Sequence, residues 1–178
     1  MNHSSSFNAR RVARCAMVAA VYTVLCLALA PFAFSGIQVR VAEILTLLPV
    51  FGPEYIVGVT FGCLLSNTLG VSMGLTAVPD IFFGTLATLL ACLVTYLLRN
   101  IRWKGLAIPA SIPPVVFNAL IVGPEIAIFF SDSPATLPLM AWNGLTVAIG
   151  EVISCMILGV ALVRLIESNA ALSKAFAK

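Results

Sequence analysis

Charged residues are so few in this chain, and so placed, that they leave it essentially one kind of fold. Ten Lys or Arg and seven Asp or Glu are spread over 178 residues, and 61% of the residues are hydrophobic. Mean hydropathy is +1.08. Apolar runs approach the length of about 20 residues that carries an α-helix across a bilayer. In hydrocarbon every backbone N–H and C=O must be satisfied inside the protein, so these runs must be helical. The expected class is an all-α membrane protein with one membrane domain over 1–178 and no room for a separate soluble enzyme domain.

Gly and Pro set the breaks. A polar tail covers 1–8 and holds His3, the one histidine, which takes His-based metal sites and His-dependent triads out of consideration. Six helices are expected, at about 9–31, 39–51, 53–71, 79–99, 106–130 and 138–167. A loop with Gly36 as breaker follows the first, and Pro53 suits the first turn of the third. Pro109, Pro113 and Pro114 disturb the start of the fifth, whose regular part is expected over 114–130. The sixth is long enough to protrude from the bilayer. The first also resembles a signal peptide, with Ala28-Leu29-Ala30 as a mimic of a cleavage site. It is read here as a retained helix.

With six crossings both termini share one side. Arg10, Arg11, Arg14, Arg99, Arg102, Lys104, Arg164, Lys174 and Lys178 then all fall on that side, and only Arg40 on the other. That asymmetry makes both termini cytoplasmic. The basic residues flank apolar segments and form no basic face, which excludes nucleic acid as a partner. Cys15, Cys26, Cys63, Cys92 and Cys155 lie singly in apolar segments and read as small packing residues.

Against this background the acids stand out. Glu43, Asp80, Glu125 and Glu151 lie in or against apolar runs. Such a charge costs about 2.5–3.5 kcal/mol on insertion scales and usually marks a ligand or ion path. On the six-helix topology they gather in the outer half of the bundle with Asn67, Asn118, Asn143 and Arg40, from five different helices. Arg40 and Glu43, three apart, are expected to pair. Four carboxylates against one arginine predict a cationic ligand or one rich in N–H donors, since a carboxylate accepts two parallel N–H bonds. Local explanations compete at some positions. Asp80 after Pro79 fits a first-turn acid, as does Glu54 after Pro53. Glu125 after Pro124 fits a helix break, and Asp132 a loop. Phe82, Phe83 and Phe117 either stack on a flat ring or pack against lipid and core, and Trp142 fits an interfacial belt. Glu43 and Glu151 have no such alternative.

Small residues recur on the first helix at Ala9, Ala13, Ala16 and Ala20, a spacing that lets another helix approach closely, in this bundle or in a partner subunit. The chain has no phosphate-binding loop of the G-x-x-x-x-G-K-S/T kind, so active uptake requires a partner to supply energy. No cofactor or metal is expected. An ion-coupled secondary carrier for a small cationic or purine-like solute is the alternative, but the two halves do not echo each other as inverted repeats do.

Several segments, in order along most of the chain, resemble the QueT family. They are Gln38-Val39-Arg40-Val41-Ala42-Glu43-Ile44-Leu45-Thr46-Leu47-Leu48-Pro49-Val50, Gly58 to Asn67, Asp80 to Leu89, Phe117 to Gly123, and Gly150-Glu151. The resemblance implies a six-helix substrate-binding S component of an energy-coupling factor (ECF) transporter in the plasma membrane. Such a subunit captures queuosine precursors or related 7-deazaguanines. It implies partners too: a shared membrane subunit and two cytoplasmic ATPases, with docking through alanines such as Ala13, Ala16 and Ala20. The expected ligand contacts are Glu43 or Glu151 at one end of the ligand and Asp80 at the other, with Asn67 and Asn118 assisting.

Overall fold

The computed structural model of the chain describes residues 9–30 and 40–176. The polar tail with His3 and the loop expected over 31–37 lie outside the described residues. Those described form a helical bundle, with one isolated bridge, Trp103 to Leu106, as the extended pairing among them. Helix α1 is Ala9–Ala28, α2 is Val41–Val50, α3 is Glu54–Ser72, α4 is Val78–Leu97 and α5 is Ile108–Phe129. Helix α6 runs over Leu137–Ser168, and α7, Ala170–Phe176, closes the chain.

Five of these helices, α1, α3, α4, α5 and α6, are long and apolar enough to cross a membrane. The second segment departs from expectation. It is a ten-residue 3₁₀ helix that starts after Arg40, whose backbone is extended. At a rise of about 2.0 Å per residue it covers about 20 Å, a third more than the same residues would as an α-helix. Its ends lie at opposite ends of the bundle. Arg40 meets Asp80 at the start of α4, while Phe51, just past α2, packs on Phe176. Arg14, Glu54, Tyr55 and Phe176 share that second end: Arg14 pairs with Glu54 at 3.3 Å, and the Tyr55 hydroxyl donates to the Phe176 carbonyl at 3.0 Å. The α4–α5 turn lies there as well, since Arg102 pairs with Glu167 at 2.6 Å. That turn is tight because Lys104 and Gly105 both take positive φ, the geometry of a two-residue hairpin loop.

One further expectation is corrected. Helix α5 is regular from Ile108 rather than from 114: Pro109 sits in its first turn, where no N–H is needed, and Pro113, Pro114 and Pro124 lie inside it. Packed neighbours in a bundle can satisfy the carbonyls that an internal proline frees. Helix α6 is not uniform: it is α-helical to Glu151, π-helical over Val152–Gly159 and α-helical again over Val160–Ser168. The chain then breaks at Asn169, whose side chain accepts from the N–H groups of Ala171 and Leu172 and starts α7.

Close helix approaches rest on glycine. A Cβ at Gly62 would meet the Tyr22 Cβ at 2.8 Å and the Ala19 Cα at 3.0 Å, and one at Gly123 would meet the Gly144 Cα at 2.5 Å. The small-residue spacing that joins α1 to α3 is therefore Gly58 and Gly62 against Cys15 and Ala19. Ala13, Ala16 and Ala20 lie on the exposed side of α1.

Candidate functional site

All four acids singled out in the sequence are buried: Glu43 is 0%, Glu125 2%, Glu151 3% and Asp80 4% exposed. They form two levels. The first lies at the end of the bundle that holds the α3–α4 turn. Asp80, in the first turn of α4, faces the Arg40 guanidinium at 3.9 Å. Asn67 donates to the Asp80 carbonyl at 2.8 Å, which ties α3 to the start of α4. Glu125 is placed near enough to Asp80 for the two carboxyl groups to interact. A cavity of about 220 Å³ opens here, lined by Arg40, Leu75, Asp80, Val122, Ile126 and Phe130.

The second level is deeper. Glu151 is fourteen residues below Leu137, about 21 Å along α6. The Asn118 amide donates to its Oε1 at 3.0 Å, and the Cys155 thiol to its Oε2 at 3.1 Å. Glu43 reaches the same place from α2. The Tyr22 hydroxyl donates to its Oε1 at 2.5 Å, and Asn118 and Thr88 lie close enough to offer the Glu43 carboxylate further hydrogen bonds. Thr46 donates to the Glu43 main-chain carbonyl at 2.6 Å, and the Cys155 sulfur lies 3.3 Å from the same oxygen. Carboxylate oxygens of the two glutamates and the Cys155 sulfur all lie within 4.8 Å of one another.

The two unusual helical segments meet at this point: the 3₁₀ helix carries Glu43, and the π segment begins immediately after Glu151 and carries Cys155. Long 3₁₀ runs and π turns are uncommon and recur at functional places, because they re-aim side chains that a regular α-helix would send elsewhere. The electrostatics are unbalanced as well. Two ionised carboxylates 4.8 Å apart would repel by about 3.5 kcal/mol at an effective dielectric constant of about 20. The Arg40 guanidinium borders the cleft beside Glu151 but makes its ion pair with Asp80. Glu43, Glu151 and Cys155 are also near enough to ligate a metal. The donors turned toward them, Tyr22 O–H, Asn118 N–H and Cys155 S–H, instead hold the carboxylates as hydrogen-bond acceptors.

The structure thus brings together Arg40, Glu43, Asn67, Asp80, Asn118, Glu125 and Glu151. The pairing expected of Arg40 with Glu43 gives way to Arg40 with Asp80, because Arg40 is the extended residue before the helix and does not share its face. Asn143 is half-buried about 12 Å up α6 from Glu151, beside the crossing of Gly144 with Gly123. Among the described residues it makes no hydrogen bond to the acids. Phe82 is 67% exposed, Phe83 packs on Phe129, and Phe117 is half-buried, so the aromatic ring at the cavity is Phe130 instead. Trp142 is 63% exposed, consistent with a belt residue. Sequence reasoning missed Tyr22, Thr46 and Cys155. Signals existed: a tyrosine hydroxyl in an apolar helix needs a partner, and Cys155 lies one helical turn beyond Glu151.

A family model described as "QueT transporter" matches residues 12–168. The chain belongs to the QueT transporter family. It is therefore a multi-pass membrane protein of a transporter family and not an enzyme. A relative from Lactococcus lactis subsp. cremoris (strain MG1363), "Queuosine precursor transporter QueT", is 30% identical over 149 residues, covering 80% of this chain and 83% of its own. No solved structure matches the chain. The two levels of buried acids are thus the candidate binding site of a QueT transporter.

Proposed function

We propose that this chain is the substrate-capture subunit of an ATP-driven ECF importer in the plasma membrane, binding a queuosine precursor of the 7-deazaguanine class from outside. The observation that carries the reading is the cluster of four buried acids with Arg40 and Asn118, next to a cavity lined by Arg40 and Asp80, in a chain of the QueT family. A 7-deazaguanine offers an N1–H and an amino group to a carboxylate, a carbonyl to an N–H donor, and a flat face to apolar walls. The lactococcal relative carries the matching name.

Six crossings with both termini in the cytoplasm fit the ends of the bundle. Arg14, Arg102 and Phe176 gather at one end and Arg40, Asp80 and the cavity at the other. The basic residues then lie inside, and the cavity faces out. Partner docking fits the open face of α1, where Ala13, Ala16 and Ala20 are exposed beside Met17 at 60% and Val24 at 64%. The partners are an ECF membrane subunit and two ATPases.

The test is uptake by cells that express this chain with and without such a module. Accumulation of the labelled precursor is expected only with active ATPases, and Ala16→Trp should abolish uptake while leaving ligand binding intact. Uptake by the chain alone in liposomes, driven by a pH gradient, would make it a secondary carrier instead.

A further inference from the structure

A second cavity, of about 200 Å³, lies apart from the acids, at the end of the bundle that holds Arg14 and Phe176. Met17, Val18 and Val21 of α1 form one wall, Leu162 and Ile166 of α6 the other, and the buried Leu48 of α2 the floor. The groove exists because α1 packs on α3 and α2, and the far part of α6 packs on α2 and α7. The element between the two walls is the 3₁₀ helix, which is wound more tightly than an α-helix and fills less of the gap. Met17 and Val21 are 60% and 45% exposed on a helix long and apolar enough to cross the membrane, so the groove opens toward lipid. Its lining is apolar apart from Arg14 and the Tyr55 hydroxyl, which already donates to the Phe176 carbonyl.

Its dimensions exclude a helix as the occupant. From Arg14 to Val21 the wall runs about 10 Å, and a helix about 10 Å across would fill about 800 Å³ over that length. A hydrocarbon chain is slim enough, and the bilayer supplies it. Charge then selects the lipid. Arg10 and Arg11 stand four and three residues before Arg14, one turn nearer the start of α1 on the same face. Lys174 precedes Ala175, which lines the groove at this end. Of the acids nearby, Glu54 takes one contact from Arg14 at 3.3 Å, and Glu167, beside Ile166, is held by Arg102 at 2.6 Å. A guanidinium carries five N–H donors, so the Arg14 fork has room for a second anionic acceptor. The mouth is therefore positive, the complement of a phosphodiester, and basic pockets between membrane helices bind anionic head groups in this way. We propose that this groove binds an acyl chain of an anionic glycerophospholipid, with the lipid phosphate held by Arg11 and Arg14. The site is distinct from the alanine face of α1. Ala13, Ala16 and Ala20 lie on the neighbouring flank, and Met17 stands between the two. A lipid seated there joins α1 to α6 across α2.

The experiment is native mass spectrometry of the purified full chain in mild detergent, offered dioleoylphosphatidylglycerol and dioleoylphosphatidylcholine in equal amounts. One phosphatidylglycerol per chain should be retained, with a preference of about tenfold over phosphatidylcholine. Arg11→Gln, a change at an exposed position, should lower that preference about fivefold. Val21→Trp, which fills the groove, should release the bound lipid of either kind. Equal retention of the two lipids by the native chain, a result that needs no variant, overturns the proposal. So does an undiminished preference in the Arg11→Gln, Arg14→Gln double variant, or a lipid that persists in folded Val21→Trp. Loss of the lipid when the chain is assembled with a membrane partner subunit would give the groove to that partner instead.

Discussion

Tyr22 shows how a single side chain outside any charge pattern supports the site. It is 0% exposed in α1, and its hydroxyl holds one oxygen of Glu43. Tyr22→Phe keeps the ring and its packing against α3 but removes the hydroxyl that donates to Glu43 Oε1. A buried acceptor stripped of its partner costs about 1–3 kcal/mol. The midpoint of thermal unfolding in detergent should fall accordingly, and an unchanged midpoint would deny the bond. At this scale the acids were legible in the sequence because a carboxylate in an apolar run has few innocent explanations. Tyr22, Thr46 and Cys155 were not, because tyrosine, threonine and cysteine enter apolar cores without visible cost. Asn143 was grouped with the acids on depth alone, and depth does not say which way a helix faces.

Elements were legible to different degrees for equally physical reasons. The long helices follow from apolar runs bounded by Gly, Pro and charge, and α3 and α4 lie within a few residues of expectation. The winding of α2 and of the middle of α6 was not readable. Whether a segment takes 3₁₀, α or π form depends on tertiary contacts, here those of Glu43 and Thr46 with Cys155 across the two segments. Helix separation was half legible: small residues were noticed on α1, but the intramolecular contact uses Gly58 and Gly62 of α3. Where α5 crosses α6, Gly123 leaves no room for a methyl group, since the obstacle is the backbone of Gly144 at 2.5 Å. Gly123→Ala should therefore part the two helices that carry Asn118 and Glu151. Overpacking of this kind costs about 1–3 kcal/mol. The expected result is a lower unfolding midpoint together with weaker ligand binding, and retention of both would show that the crossing yields.

For the molecule as a whole, the arrangement separates tasks by end. The Arg40–Asp80 pair and the cavity occupy one end, and the ion pairs Arg14–Glu54 and Arg102–Glu167 and the docked α7 occupy the other. Single cysteines placed at Ser133 and at Lys104, in a chain cleared of its own cysteines, should report that polarity in intact cells. The Ser133 site should react with an impermeant maleimide from outside, and the Lys104 site only after the cells are opened. The reverse pattern would put the cavity in the cytoplasm and remove the capture role. The claim on which everything else rests is that this cavity holds a 7-deazaguanine. Equilibrium binding by the purified chain, across guanine, queuine and the aminomethyl and cyano 7-deazaguanines, tests it most directly. The account expects tight binding of a 7-deazaguanine and little or none of guanine, and a folded protein that bound none of them would contradict it.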